Sequence, residues 1–190
     1  MSDKRPTAIL MDEHRVIEHV LDALERAADH LERRDFVRPG FFLDAADFIS
    51  GFADGCHHRK EEGVLFGAMQ DSGAPRGGGP IEMMLDEHEQ GRAFTRAIRA
   101  AARSLEAGDA SARGPLVANA RGYVALLREH IMKEDELLFP MADDLLTPER
   151  EAQVLRGFDR VEHEDAGEGA HAKFHALAHT LEKEAASLGA

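Results

Sequence analysis

The sequence predicts an all-α protein, a four-helix bundle followed by an additional C-terminal helical segment, and three observations lead there. Thirty Ala and nineteen Leu stand against eighteen Val, Ile and Thr and a single Tyr among 190 residues, a composition that favours helix over pleated sheet. Apolar residues recur at alternating steps of three and four, the stripe of a helix packed on its neighbours. Four long runs of this kind are joined by short connections, which is the pattern of a bundle.

The first helix is expected near residues 7–34, on Leu10, His14, Ile17, Leu21, Leu24, Ala28 and Leu31. Arg38-Pro39-Gly40 interrupts it. The second is expected over 41–70, on Ile49, Ala53, His57, Glu61, Val64 and Ala68, although Gly51, Gly55, Gly63 and Gly67 each cost roughly 1 kcal/mol in a helix interior relative to Ala. The segment DSGAPRGGGP, 71–80, is a loop by composition. A third helix follows over 81–107, on Met84, His88, Gly91, Thr95, Ile98, Ala102 and Leu105, and a fourth over 111–145, on Leu116, Ala120, Tyr123, Leu127, His130, Glu134, Leu137 and Met141. Thr147-Pro148 reads as an N-cap with Pro in the first turn of a fifth helical segment, broken near Gly167-Glu168-Gly169. Residues 1–146 are read as the bundle domain and 147–190 as a helical extension packed on it.

Net charge narrows the function. Twenty-three Lys and Arg against 36 Asp and Glu give −13, which argues against nucleic acid and anionic membrane surfaces, both of which are bound through clustered cations. No stretch approaches the roughly 18 apolar residues of a membrane span. The start, MSDKRPTAIL, lacks an apolar core of signal-peptide length, and one Cys cannot close an internal disulfide. A cytoplasmic protein is expected.

The two halves of the chain repeat. Asp12-Glu13-His14 matches Asp86-Glu87-His88, and His57-His58-Arg59-Lys60-Glu61-Glu62-Gly63-Val64-Leu65-Phe66 aligns without gaps on His130-Ile131-Met132-Lys133-Glu134-Asp135-Glu136-Leu137-Leu138-Phe139. The intervals from His14 to His57 and from His88 to His130 are 43 and 42 residues. A helical hairpin has been duplicated, each copy carrying one His on its first helix and His-x-x-x-Glu on its second.

All six of these residues lie on the apolar stripes, so folding buries four imidazoles and two carboxylates. A buried unpaired carboxylate is very costly and shifts its pKa, finds a partner or binds a metal. Spacing of four puts His and Glu one turn apart on one helix face, and inward-facing His and Glu from all four helices is how di-iron and di-manganese carboxylate proteins are built. Hence the candidate metal ligands are His14, His57, Glu61, His88, His130 and Glu134, a set that suits two ions sharing two carboxylates.

The pattern of those six residues, with the tails Lys60-Glu61-Glu62-x-x-Leu65-Phe66 and Lys133-Glu134-Asp135-x-x-Leu138-Phe139, resembles the hemerythrin-like, or HHE cation-binding, domain over about residues 7–146. The resemblance implies an up-down-up-down bundle holding two non-heme iron ions, bridged by Glu61, Glu134 and an oxo or hydroxo group. The chain departs from the oxygen-carrying members of that family, which have five His ligands and an Asp in place of the second Glu. Two roughly octahedral irons have about twelve positions, of which four His, two bridging carboxylates and one bridging oxygen fill about ten. The expected function is binding of, or reaction with, small diatomic or peroxide ligands: oxygen, peroxide or nitric oxide. The more open site suits peroxide or nitric oxide chemistry better than oxygen carriage. A detoxifying di-iron oxidoreductase and an iron- or redox-responsive sensor are the alternatives.

Other residues are read individually. His58, 100° around an ideal helix from His57, is either a group behind the ligands or an additional ligand. Glu62, Asp135 and Glu136 are expected to be solvated. Tyr123 is expected to be core, with gating of the metals as the alternative, and Cys56 a small hydrophobe rather than a redox sensor. His171, His175 and His179, spaced by four beside the stripe Phe174, Leu177 and Leu181, are expected to be surface or packing residues, with metal binding by an i, i+4 pair as the alternative. Met84 is too soft a donor to count, and His19 and His30 receive no role.

Overall fold

The computed structural model describes residues 4–165 and 169–188, and among these every regular element is a helix. Helix α1 is Pro6–Glu32, begun by a Pro whose fixed φ suits a first turn. It ends slightly before the expected boundary because Arg34 turns into the left-handed region, at φ 67°. Helix α2 is a continuous run over residues 39–71. Its α-helical ends, Pro39–Phe48 and Phe66–Asp71, enclose two π-helical stretches, Ile49–His58 and Glu61–Leu65. Helix α3 is Pro80–Glu106. Helix α4 covers residues 113–145, entered through a 3-10 turn at Ala110–Ala112 and interrupted by a π-helical stretch at Glu134–Leu138. Helix α5 is Pro148–Arg160, where the Thr147 side chain accepts from the Arg150 amide as the N-cap signal requires. A π-helical turn, Val161–Asp165, continues it. Helix α6 is Ala170–Ser187. Of the expected break, residues 167 and 168 lie outside the described residues, and Gly169 precedes α6 at φ 82°.

The glycines that weaken α2 as an α-helix have separate explanations. Gly51 and Gly55 fall in one π-helical stretch and Gly63 in the other, and a Cβ at Gly51 would run into the Phe174 ring of α6. Short π-helical insertions are a common way to re-aim side chains at functional sites, and here both Glu61 and Glu134 open one.

Helices α1 and α4, α2 and α3, and α3 and α4 pack side by side, while α6 lies on α1 and α2. Two apolar clusters result. The larger contains Ile17, Leu24, Phe41, Phe52, Ile98, Leu127 and, from α6, Leu181. The smaller contains Leu10, Leu65, Met84, Leu138 and, from α5, Val154 and Phe158. A buried polar layer of His and Glu separates them. Along α1 and α3 the chain runs from the smaller cluster through this layer to the larger, and along α2 and α4 in the reverse order. No described helix is long and apolar enough to cross a membrane.

Leu181 is fully buried whereas Leu137 is 65% exposed. Leu181→Ala should therefore cost about 2–5 kcal/mol in urea unfolding, and Leu137→Ala no more than about 0.5 kcal/mol. Equal effects would show that α6 does not belong to the core.

Candidate metal centre

The structure brings His14, His57, Glu61, His88, His130 and Glu134 together in the polar layer, each essentially without solvent exposure. Their Nε2 atoms meet in pairs, His14 with His57 at 3.0 Å and His88 with His130 at 3.1 Å. Each pair faces the two carboxylates. His57 and His88 lie 3.4 and 3.5 Å from Glu61, and His14 and His130 lie 3.2 and 3.3 Å from Glu134.

Behind every imidazole stands a carboxylate. His57 Nδ1 donates to Glu13 and His130 Nδ1 to Glu87, both at 2.9 Å, within one hairpin copy. His14 Nδ1 donates to Asp135 at 2.7 Å and His88 Nδ1 to Glu62 at 2.6 Å, across the copies. Glu62 and Asp135 are therefore half-buried hydrogen-bond acceptors and not solvated charges, a correction to the reading of the helix face alone. Lys60 and Lys133 donate to Glu13 and Glu87 respectively, and Arg92 and Arg15 to Glu62 and Asp135. Phe66 and Phe139 stack on His88 and His14, again across the copies. The signal for these positions was in the sequence: the repeat extends past the ligands to the Glu before each first His and to the Lys and acid flanking each Glu. Lys60 also bonds Glu162, which ties the centre to the residues after α5.

These contacts settle the protonation pattern. A carboxylate only accepts, so each Nδ1 carries a proton, and in the neutral ring Nε2 then presents a lone pair. Two lone pairs facing each other at 3.0 Å make no hydrogen bond; a cation between them is what reconciles them. Both oxygens of Glu61 and of Glu134 are buried without a hydrogen-bond partner, as are both ring nitrogens of His58. Burial, reinforced by the charge of Glu13, pushes Glu61 well above the usual carboxylate range. Burial, reinforced by Glu61, takes Glu134 up to about 8. Burial pushes His58 and His130 well below the usual imidazole value. Glu13 behaves oppositely: burial opposes its ionisation, but the hydrogen bond and charge of His57, with Lys60, bring it to about 2. Neutral imidazoles and orphaned carboxyl oxygens around one point are the donor set that a divalent or trivalent metal takes up.

His58 joins the group. One donor atom each from His58, Glu61, His88 and His130 lie within 4.8 Å of one another, and so do donors from His14, His57, Glu61 and Glu134. The His58 ring stacks on His88 with centroids 3.8 Å apart, and Asp54 lies 3.5 Å from its Nδ1. Stretching the helix into i→i+5 bonding over Ile49–His58 narrows the angle between consecutive side chains, which lets His57 and His58 reach opposite sides of one polar layer. In the second copy the same position is Ile131, part of the apolar core.

The remaining candidates supply no donor to these two groups. Tyr123 is buried, and its hydroxyl has no partner. Cys56 is buried, and desolvation raises its thiol to about 11, which opposes the thiolate that redox sensing needs. His171 and His175 pack edge-on against Phe52, and His179 is a surface residue facing Glu182. Met84 is buried in the smaller apolar cluster.

The model of the hemerythrin HHE cation-binding domain matches residues 5–142. The chain belongs to this family. Among relatives of this hemerythrin-like protein, an uncharacterized protein of Mycobacterium tuberculosis (strain H37Rv) is 24% identical over 159 residues, covering 84% of the chain and 62% of the relative. An uncharacterized protein of Mycobacterium bovis matches equally. The iron-sulfur cluster repair protein YtfE of Dickeya chrysanthemi is 29% identical over 135 residues, 69% of the chain and 60% of that protein. The hemerythrin-like chain thus spans about three fifths of the length of these relatives. No solved structure matches it significantly.

Glu134 is displaced from 4.5 to about 8 in the metal-free fold. A carboxyl whose pKa is higher folded than unfolded stabilises while protonated, so this contribution is full below about pH 4.5 and lost as pH rises through about 8. His58 and His130, pushed down by burial, act in the opposite direction, adding stability as pH rises towards the ordinary imidazole value of 6.5, so the decline shows above that value. Between there and about pH 8.5, the unfolding midpoint of chelator-treated protein should fall, with Glu134→Gln flattening the slope. A flat wild-type profile contradicts the assignment.

Proposed function

We propose that this hemerythrin-like protein holds two iron ions and binds or reacts with oxygen, peroxide or nitric oxide. In this reading His14 and His57 would hold one ion and His58, His88 and His130 the other, with Glu61 and Glu134 within reach of both. The single observation that carries it is the set of orphaned donors, the four oxygens of Glu61 and Glu134 and both nitrogens of His58, enclosed in one buried layer with the facing Nε2 atoms of the other four imidazoles. Iron is favoured by the mixture of imidazole and carboxylate donors and supported by the iron chemistry in the name of the YtfE relative. The alternating order of the two apolar clusters along successive helices supports an up-down-up-down arrangement.

His58 changes the coordination count. Five imidazoles, two bridging carboxylates and a bridging oxygen fill about eleven of about twelve positions, where six protein ligands leave about two. One position would then remain open, on the side of His14 and His57, the pair without a third imidazole. The preference for peroxide or nitric oxide over oxygen carriage, which rests on two open positions, loses its footing, and a single small ligand at a time is what the centre takes. When bound, iron supplies electrons to such a ligand. The chain's own part is to hold Nε2 unprotonated through Glu13, Glu62, Glu87 and Asp135 and to exclude bulk water with Phe66 and Phe139 stacked on the imidazoles. Carboxylates behind metal-bound histidines fix their orientation and raise their basicity, and their removal typically costs about 10–100-fold in metal affinity.

Iron content of purified variants tests this. His57→Ala combined with Glu134→Ala should abolish iron binding, Glu13→Gln should weaken it about tenfold or more, and His58→Ala should retain iron with an altered visible spectrum. Unchanged iron in the double variant would overturn the proposal.

A further inference from the structure

Against the metal group, α2, α3 and α4 enclose a cavity of about 150 Å³ with His58, Gly91, Thr95 and Tyr123 in its wall and Arg92, Arg96 and Arg99 around it. A space of this size takes a molecule of a few heavy atoms. Its polar groups are unevenly satisfied. Thr95 Oγ1 donates to the Gly91 carbonyl at 2.8 Å, whereas the Tyr123 hydroxyl, 1% exposed as a residue, has no partner. Buried tyrosine hydroxyls normally find one, so a donor stands ready in the wall.

Of the three cations around the cavity, two are already taken up by carboxylates. Arg92, Arg96 and Arg99 recur at helical spacing on α3. Arg92 is held by Asp54, Glu62 and Glu89, each at 2.7 Å, and Arg99 by Asp47. Exposed Arg96 has no carboxylate partner among the described residues. Arg96 is therefore the one cation of the lining left for a ligand, and it lines the same cavity as the unused Tyr123 hydroxyl, a pair of donors that suits a small anion with acceptor atoms.

We propose that this cavity is a binding site for a small inorganic anion bearing oxygen or nitrogen acceptors, held by a hydrogen bond from Tyr123, drawn in by Arg96 and resting against the His58 imidazole. Its use in delivering ligand to the centre rests on the function proposed above; the binding itself does not. The site lies on the side of the His58, His88 and His130 imidazoles, so it stores or admits an anion next to the metal group without being the open position beside His14 and His57.

Nitrite is the probe. The chain contains one Tyr and no Trp, so the ring resonances of ¹³C-labelled tyrosine report this cavity alone, and calorimetry on the protein as purified gives the affinity. Saturable binding that shifts the Tyr123 ring is expected. Tyr123→Phe, which removes an unpaired hydroxyl and preserves the packing, should weaken binding about tenfold. Arg96→Gln should weaken it and reduce its salt dependence. Both variants should keep the wild-type iron content. Absence of binding, or affinities unchanged in both variants, overturns the proposal. Nitrite shifting Tyr123 in protein that holds no iron would leave the cavity site standing and remove the metal reading.

Discussion

The structure depends on one unfavourable juxtaposition: two carboxylates and five imidazoles buried in a layer between two apolar clusters, with nitrogen lone pairs turned toward one another. In water these groups would be solvated. Inside the bundle they have neither water nor one another as hydrogen-bond partners, and an uncompensated buried charge costs several kcal/mol. The apolar clusters on either side, reaching from Leu10 and Phe139 to Phe41 and Leu181, are what make the burial enforceable. A cation converts the liability into cohesion, because the free energy of metal binding to groups assembled only by folding is itself folding free energy.

Duplication explains how the surrounding network arises from so short a pattern. Glu13 and Glu87 serve the second helix of their own hairpin, whereas Glu62 and Asp135 reach the first helix of the other. The two copies are thereby bonded to each other through the same residues that orient the imidazoles. Where the copies differ, the site is asymmetric. His58 faces Ile131 in the alignment, and buried Lys60 extends to Glu162 while Lys133 stays with Glu87.

Much of this was legible in the sequence. The six inward His and Glu residues follow from stripe position and repeat spacing alone, because a buried polar residue at a repeated site has few explanations. The helices follow from periodicity, with their ends set by Pro39, Thr147 and the glycine-rich loop. His58 was not legible on an ideal helix, since its angular position presumes α-helical pitch and the chain is π-helical there. Glu62 and Asp135 were misplaced as solvated because a helix face shows only its own side, and the imidazole each one serves comes from the other hairpin. The packing of α6 on α1 and α2 required the close approach of Phe174 to Gly51, which no local pattern announces.

The central claim is that the buried His and Glu layer is a two-iron centre. The most direct measurement is metal analysis of the protein as purified, combined with its visible spectrum. The account predicts two irons per chain and oxo-bridged diferric absorption that changes on adding azide. Protein that is folded, free of iron after growth in iron-replete medium and unable to take it up would contradict it.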